Sequence, residues 1–560
     1  MLNTKRNFMI KYKNYKIGLL LLLIAGAGCT KLNENLNSSF TNQQAAAGLG
    51  ANGTKLLLQA AYTDLGTPVT TQSDLMNLEG NSADESLVPT RGGDWDDNGV
   101  WRVIHNHTWD ANNANILGTF NDLNKLNFDA TNVLQFGPTL EQAAEARFLR
   151  AYALYYLLDI YGQFPVRNPG DNLLNAPKVY SGDSATLFII NELTTILPNL
   201  SSTNTMSQAN PDAAKTLLMK CYLNRGAFAN RAAPQFADAD MQQVIQLGNS
   251  IINEGKYSYM ANYFDNFAVG NSASTEGIYA YQNTSGVGAN NSGPDTRWMM
   301  TLHYNSFDGE APNAGWNGFS TIADVYNSFS LNGTATQTPA DTLLDQRIGG
   351  RAYNDHNGIR GSTQWSGIRP GFLIGQQYDQ NGVALKDRKG NPLAFDPTIA
   401  ANMIEQGSNL EVTGIRVVKY PPDFSNTSGA YYESNSGNWM MVLRYADVVL
   451  MTAEALMREG TPDNATALML INGLRTARGA ATVTSMPLVN TSNVEDPTTL
   501  LAERERETYW ENSRRTDLIR FGMFTALWAY KPSDDPHYLV YPIPTQALAS
   551  NPNLKQNPGY

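Results

Sequence analysis

Between Asp84 and Trp109 the sequence concentrates the types of side chain that bind or process sugars. These 26 residues contain Arg91, two adjacent glycines and the tryptophans Trp95, Trp101 and Trp109. Sugar rings have apolar C–H faces that stack on aromatic rings, and hydroxyl groups that need planar donors and acceptors. Tryptophans beside Asp, Asn and Arg supply both, so the segment is suited to carbohydrate binding.

The acids of this segment leave a catalytic alternative open. A glycoside hydrolase works with two carboxylates that flank the scissile bond, and Asp84 and Asp94 are candidates for such a pair. Nothing in the sequence marks two carboxylates whose pKa values are pushed apart, as an acid and a base require. For Trp101 and Trp109, a second interpretation is that the rings are core anchors beneath the loop.

His105 and His107, followed by Asp110, form an arrangement that suggests a metal ligand set. Two histidines two residues apart share a face only on a strand, and neither an HExxH motif nor a cysteine cluster accompanies them. We therefore predict structural roles for both histidines and no metal site. The sequence also lacks a glycine-rich phosphate loop and a nucleophile elbow, and it implies no cofactor.

The first 28 residues have the parts of a bacterial secretion signal. The apolar stretch Ile17–Ala27 follows a region that contains Lys5, Arg6, Lys11, Lys13 and Lys16 and no acid. About 11 apolar residues are too few to span a bilayer. The small residues before Cys29 resemble the lipobox of bacterial lipoproteins, in which the cysteine is lipidated, although Gly26 stands where leucine is more usual. The alternative is a plain signal peptide with an incidental cysteine.

The predicted boundaries are 1–28 for the signal peptide, 29–42 for the lipidated N-terminus and a polar tether, and 43–560 for the folded domain. A length of 560 residues predicts two lobes or one elaborated domain. A chain with 42% hydrophobic and 16% charged residues is typical of folded proteins. The net charge of −11 argues against a nucleic-acid partner, which would require a basic surface.

Apolar periodicity predicts two groups of helices, at about 43–256 and 438–530, separated by a loop-rich insertion at about 257–437. The predicted helices are Gln43–Leu65, Leu140–Tyr161, Ser184–Leu200, Asp212–Asn230, Asp240–Glu254, Trp439–Glu459, Asn464–Arg478 and Thr498–Arg514. Paired helices of this length with short turns predict a mostly α, tetratricopeptide-like hairpin scaffold. The insertion, rich in aromatic residues, would form a loop-rich face for binding a ligand.

Four segments follow the signal in a fixed order: Asp84–Trp109, Glu145–Pro165, Leu443–Ala455 and Glu503–Arg520. The chain then closes with Tyr541-Pro542-Ile543-Pro544 and Gln556-Asn557-Pro558-Gly559-Tyr560. This order resembles the SusD/RagB family of outer-membrane nutrient-uptake lipoproteins from Bacteroidetes, over essentially the whole mature chain. One departure is that Phe120 and Leu123 stand where the family more often has Trp and Tyr.

The resemblance implies a lipid-anchored outer-membrane protein that captures oligosaccharide for a SusC-like, TonB-dependent transporter and is not an enzyme. The family places ligand contacts partly in the Asp84–Trp109 segment. The candidate ligand-binding residues are Asp84, Arg91, Trp95 and Trp101, with Tyr304 and Trp316 for a second wall. Besides the hydrolase, a helical scaffold that binds only protein stays open, and it predicts that the loop aromatics are buried.

The charged segments near the C-terminus favour structural ion pairs over catalysis. Arg444, Arg506 and Arg520 lie in or near helices that also carry glutamates at spacings of three and four residues. Structural ion networks are more common in such helices than catalytic ones, so we predict pairs between helices for these arginines. Cys221 lies within a strong helical pattern, and we predict a small buried side chain.

Overall fold

Long helices alternate with short turns through the first half of the chain and return after residue 444. The computed structural model describes residues 42–285, 295–306, 315–329, 345–349, 370–379, 383–422 and 436–560. Residues 51–560 form one compact unit. Among the described residues, no helix is both long and apolar enough to cross a membrane. Cys29 and all but the last residue of the predicted tether lie outside the described residues.

Neighbouring helices pack against one another in a continuous series. The first eight are α1 Asn42–Asp64, α2 Gly66–Thr70, α3 Arg102–His105, α4 Ala114–Val133, α5 Leu140–Tyr161, α6 Gly182–Ile196, α7 Pro211–Ala229 and α8 Asp238–Glu254. The later helices are α9 Asp295–Met299, α10 Ala323–Ser328, α11 Tyr445–Arg458, α12 Asn464–Ala477, α13 Leu500–Thr508, α14 Arg514–Arg520 and α15 Thr545–Ser550. Helices α4 to α8 pack in chain order, α8 packs on α11, and α11 packs on α12. The predicted mostly α scaffold of helical hairpins is confirmed.

Helix α5 is buried around its whole circumference and not along one stripe. Thr139 and Gln142 form a capping box at its N-terminus, and Gly162 ends it in the left-handed conformation. Nearly every residue from Ala144 to Tyr161 is buried, because α4 and α6 both pack against this helix. The predicted amphipathic face therefore accounts for only part of the buried surface of α5. Cys221, on α7, is buried in the same core, as predicted.

Short two-stranded ribbons organise the loop-rich part of the chain. One pair is parallel, β1 Thr90–Arg91 with β8 Ile404–Glu405. The antiparallel pairs are β2 Gln163–Val166 with β3 Lys178–Ser181, β4 Gly277–Tyr281 with β10 Met440–Arg444, β5 Gly371–Leu373 with β9 Arg416–Val418, and β6 Gly375–Gln376 with β7 Ala394–Phe395. A hydrophobic cluster distinct from the helical core fills this region and includes Phe319, Ile415 and Trp510.

Three differences from the sequence predictions concern the long helices. The helix predicted from Trp439 begins as strand β10, because Met440–Arg444 pairs with β4 before α11 starts. The helix predicted at Thr498–Arg514 is broken into α13 and α14, because Trp510 and Asn512 between them have positive φ angles of 59° and 61°. Helix α4 was not predicted, since polar residues and Gly118 interrupt its apolar pattern.

A network of buried ion pairs surrounds α13. The carboxylates of Glu503 and Glu507 pair with the guanidinium groups of Arg347, Arg444, Arg475, Arg478 and Arg506. The structural roles predicted for the three arginines are present, and for Arg444 and Arg520 the pairs join different elements. Arg506 instead pairs within its own helix and donates to the carbonyl of Ser328. Such a network specifies which helices meet, because an unpaired charge inside it would be costly.

The ion-pair network predicts that the protein loses stability in acid. Burial opposes ionisation of Glu454, but the guanidinium groups of Arg520 and Arg458 outweigh burial and hold its pKa at about 2. The unfolded value is about 4.3, so the ionised carboxylate stabilises the fold above that pH, and this contribution is lost as the pH falls through about 2. We expect Glu454→Gln to lower the free energy of unfolding strongly at pH 7. The deficit, which is the difference in this free energy between wild type and variant, should shrink as the pH falls from about 4 to about 2.

Urea unfolding of the wild type and of Glu454→Gln, from about pH 7 to about pH 2, measures the deficit. The exposed Glu254 is a matched control, and Glu254→Gln should show little deficit at any pH. A deficit for Glu454→Gln that stays constant from pH 7 to pH 2 would contradict the proposed origin of the stabilisation.

Candidate ligand-binding site

The loop that follows β1 has an unusual backbone. Gly92, Trp95, Asp97, Asn98 and Gly99 all have positive φ angles, between 40° and 78°. A left-handed conformation is unfavourable for side chains other than glycine and is kept only where the surroundings impose it. Backbone strain of this kind clusters at ligand sites and switch regions, which directs attention to the side chains that this loop presents.

The indole of Trp95 is held in place from several sides. Its Nε1 donates to the carbonyl oxygen of Trp316 at 2.7 Å. The rings of Trp101 and Phe319 contact it edge-on, with centroid distances of 5.2 and 5.5 Å. Gly318 allows this packing, because a Cβ there would lie 2.3 Å from the Trp95 ring. Trp95 nevertheless remains half-buried and is not enclosed completely.

Trp316 is placed by hydrogen bonds to the end of α9. Its backbone N–H donates to the carbonyl of Met299, and the N–H groups of Gly318 and Phe319 both donate to the carbonyl of Met300. A β-bridge between Leu87 and Ser320 then ties this segment to the chain before β1. Trp316 is half-buried like Trp95. The hydrogen bond from Trp95 therefore joins two partly exposed tryptophans that are far apart in the sequence.

Tyr304, Asp94 and Arg388 extend this surface with polar groups. The Tyr304 hydroxyl donates to the carboxylate of Asp94, and the Arg388 guanidinium lies over the Tyr304 ring, 3.7 Å from its centroid. Arg388 also approaches Asp94 at 3.6 Å and binds Glu411 at 2.9 Å. We call Trp95, Trp316, Tyr304, Asp94 and Arg388 the aromatic patch. Arg388 was not predicted, because a charged turn between short strands has no sequence pattern that distinguishes it from ordinary surface.

The patch combines partly open rings with fixed hydrogen-bonding groups. Tyr304 itself is only 8% exposed, because Arg388 covers its ring, so the prediction that this ring contacts a ligand is corrected: it supports Asp94 and Arg388. Burial raises the pKa of Tyr304, so its hydroxyl is a neutral donor at physiological pH. Behind it, His303 bonds Glu411 through Nε2 at 3.0 Å, and burial lowers the pKa of this histidine. The side chains of Asp94 and Arg388 are nearly half exposed.

Two charged residues predicted to contact a ligand, Asp84 and Arg91, are instead structural. Asp84 is fully buried, and both of its carboxylate oxygens accept from Arg514 at 2.6 Å. Arg91 is 2% exposed, and its guanidinium donates to groups of Ser320, Leu410 and Thr413. Buried charges of this kind have no surface to offer a ligand, which corrects the predictions for Asp84 and Arg91.

The other tryptophans of the segment also lie in the interior. Trp101 is 6% exposed and donates from Nε1 to Asp97 at 2.8 Å, so it supports Trp95 from beneath and does not face a ligand. This corrects the prediction for Trp101, in agreement with the alternative interpretation as a core anchor. Trp109 is buried as well, and its Nε1 donates to the hydroxyl of Tyr560 at 2.7 Å.

The two histidines of the segment are occupied by protein groups. His105 contacts the carbonyls of Asn81, Ser86 and Ala529 through its two ring nitrogens. His107 contacts Asp534 through Nδ1 and the carbonyl of Ser82 through Nε2. The predicted structural role agrees with this geometry, since neither ring has a nitrogen left for a metal.

A concave groove lies between α1 and β4. This groove has a volume of about 780 Å³, and its lining includes Gln59, Tyr62, Glu145, Gln208 and Tyr281. The hydroxyl of Tyr62 donates to Glu145 at 2.5 Å and accepts from the N–H of Ala209. Tryptophan is absent from the described residues that line it. The groove is therefore a competing location for a ligand.

Comparison with known proteins agrees with this architecture. A model of the SusD family matches residues 267–560. The starch-binding protein SusD from Bacteroides thetaiotaomicron is 26% identical over 459 residues, which cover 78% of this chain and 77% of that protein. SusD-like protein P25 from Formosa agariphila is 23% identical over 475 residues, which cover 83% of this chain and 78% of that protein.

Solved structures share the fold. A laminarin-binding SusD-like protein superposes with a TM-score of 0.64 and 19% identity, over 91% of this chain and 100% of the other. Surface glycan-binding protein A from Bacteroides thetaiotaomicron, in complex with laminarihexaose, has a TM-score of 0.64 and 16% identity, over 90% of this chain and 99% of the other.

Together, the helical hairpins and the loop-built face define a helical scaffold that presents a partly exposed aromatic surface. The family model covers more than half of the chain. This chain belongs to the SusD family.

Proposed function

We propose that this protein binds an oligosaccharide at the aromatic patch and captures it for uptake. The observation that supports this most is the hydrogen bond from Trp95 to the backbone of Trp316, which holds two partly exposed tryptophans beside the charged groups of Asp94 and Arg388. Two ring faces match the apolar faces of sugar residues, and the charged groups match their hydroxyls. Relatives named for binding starch and laminarin support the same class of ligand.

We further propose that the protein leaves its ligand intact. A hydrolase would need two accessible carboxylates, and the pair considered from the sequence was Asp84 with Asp94. Asp84 is buried in its pair with Arg514, out of reach of a sugar. Of this pair, only Asp94 belongs to the patch, where it accepts from Tyr304. A binding protein that passes its ligand to a transporter also has no need of catalysis.

The binding of glycans tests this proposal directly. Starch, laminarin and xylogluco-oligosaccharides are titrated into the purified protein by calorimetry, and the ligand is then examined by chromatography. We expect one of these classes to bind with micromolar to millimolar affinity, about −8 to −4 kcal/mol, and to be recovered uncut, since a shallow site with few hydrogen bonds binds weakly. Trp316→Ala should weaken binding at least about tenfold, or about 1.4 kcal/mol, through loss of one ring face.

Tyr281→Ala is the matched control, because Tyr281 is a half-buried aromatic residue that lines the competing groove. It should leave the affinity unchanged. Loss of binding in Tyr281→Ala with normal binding in Trp316→Ala would show that the ligand binds in the groove and not at the aromatic patch. Cleavage products that disappear in Asp94→Asn would refute the proposal that the protein only binds. If none of the three glycan classes binds and a protein partner does, the alternative of a helical scaffold that binds only protein would be favoured.

We also propose that the protein is held at the outer membrane by lipid on Cys29 and delivers its ligand to a SusC-like, TonB-dependent transporter. The basis is the lipobox-like sequence at the N-terminus, together with membership of the SusD family. The boundaries proposed for this arrangement remain 1–28 for the signal, 29–42 for the tether and 43–560 for the domain. Weak binding suits delivery, because a captured ligand must leave again for the transporter.

A further inference from the structure

Three carboxylates meet in the interior where the chain leading to β1 passes α13. Asp84, Glu495 and Glu505 each place an oxygen within 4.8 Å of the other two. Asp84 is fully buried and Glu505 is only 1% exposed. Glu495 lies in the turn before α13, and both of its carboxylate oxygens are shielded from solvent. None of the three belongs to the aromatic patch.

The charges in this cluster are not balanced. Arg514 binds both oxygens of Asp84 and lies 3.2 Å from Glu505 Oε2. Glu495 has no ion pair with any residue that the structure describes. Within the same described ranges, none of the four carboxylate oxygens of Glu495 and Glu505 accepts a hydrogen bond. Buried polar groups in proteins nearly always have a partner, and an isolated buried carboxylate is very costly. The carboxylates of this cluster therefore require a further partner.

We propose that Asp84, Glu495 and Glu505 bind a calcium ion. Calcium takes oxygen ligands at 2.3–2.6 Å, so two ligands of one ion lie at most about 5 Å apart, as these three oxygens do. The donor set consists of carboxylates and lacks the nitrogen and sulfur ligands typical of zinc. Magnesium demands a tighter octahedral shell and keeps several waters, which suits a dry interior less well. Six to eight ligands are usual for calcium, so backbone or water oxygens would complete the shell.

An ion at this position would connect parts of the chain that are distant in sequence. Asp84 precedes the loop that carries Trp95, whereas Glu495 and Glu505 flank the start of α13. The ion would thus fasten the segment that leads into the aromatic patch to the helix at the centre of the ion-pair network. Calcium would stabilise the fold by mass action, since the unfolded chain holds no such arrangement of oxygens.

Calcium binding is tested on the full-length chain, purified in detergent and stripped with EDTA. Calorimetric titration with CaCl₂ should show one site, with a Kd on the order of 10⁻⁴ M or tighter, as in other extracellular modules. Saturating CaCl₂ should raise the melting temperature by about 2–4 °C. MgCl₂ at the same concentration should raise it less. An equal response to both salts, or to neither, would overturn the assignment.

Glu495→Gln is the decisive variant, because this side chain makes no hydrogen bond or ion pair that the substitution would break. We expect it to fold and to lose the calcium-dependent rise in melting temperature. Glu505→Gln is a second variant with the same expected loss, and the exposed Glu254→Gln should respond like the wild type. Undiminished binding in both variants would refute the site. A wild type that ignores calcium, with a Glu495→Gln variant that melts higher, would show that protons neutralise the cluster instead.

Discussion

Arg444→Ala is expected to lower the free energy of unfolding by about 3–5 kcal/mol. The guanidinium of Arg444 pairs with three carboxylates, those of Glu276, Glu507 and Glu511, at 2.7–3.1 Å. Glu276 and Glu507 are fully buried, so they cannot regain solvation when the arginine is removed. Arg478 also pairs with both, and the fold survives at reduced stability for that reason. Urea unfolding monitored by far-UV circular dichroism measures the loss.

Arg225→Ala is the matched control for this experiment. Arg225 pairs with Asp183 and Asp240, but its side chain is 29% exposed and water replaces the lost pair. Its expected effect is about 0–1 kcal/mol. Glycan binding by the Arg444→Ala protein, measured well below its melting temperature, should match the wild type. Normal stability together with lost binding would mean that Arg444 belongs to a ligand site and not to the scaffold.

Cys29→Ser is expected to release the protein from the outer membrane completely. The lipid predicted at Cys29 is the attachment in this proposal, on the basis of the lipobox-like sequence before it. Each buried CH₂ of an acyl chain contributes about 0.8 kcal/mol, so several chains together anchor a protein stably, and a serine at this position receives none. Fractionation of cells that lack the partner transporter measures the effect, because the transporter would otherwise retain the protein by itself.

Cys221→Ser is the control, as Cys221 is the chain's other cysteine and lies buried in the helical core. It should remain in the membrane fraction. A Cys29→Ser protein that still sediments with outer membranes would disprove lipid anchoring at this residue. Release of both variants would show that the fractionation reports folding and not attachment.

The sequence by itself determined the scaffold. Helix α5 begins and ends where its apolar pattern and its capping residues place it, at Leu140 and Tyr161. Local interactions define such a helix, since capping and apolar spacing both act within a few residues. The motifs that resemble the SusD/RagB family are also read from the sequence alone, and the family model, which matches residues 267–560, confirms the family. Helix boundaries were wrong where a distant strand or a left-handed residue intervened, as at β10 and Trp510.

Only the tertiary structure decided which candidate residues are exposed. Asp84 and Trp95 lie in one polar loop, and nothing local distinguishes them. Asp84 is buried because its partner Arg514 arrives from 430 residues further along the chain. Trp95 remains partly exposed, and the carbonyl of Trp316, 221 residues away, fixes its indole. Burial depends on which distant segments pack against a residue, and no periodicity in the loop records that packing.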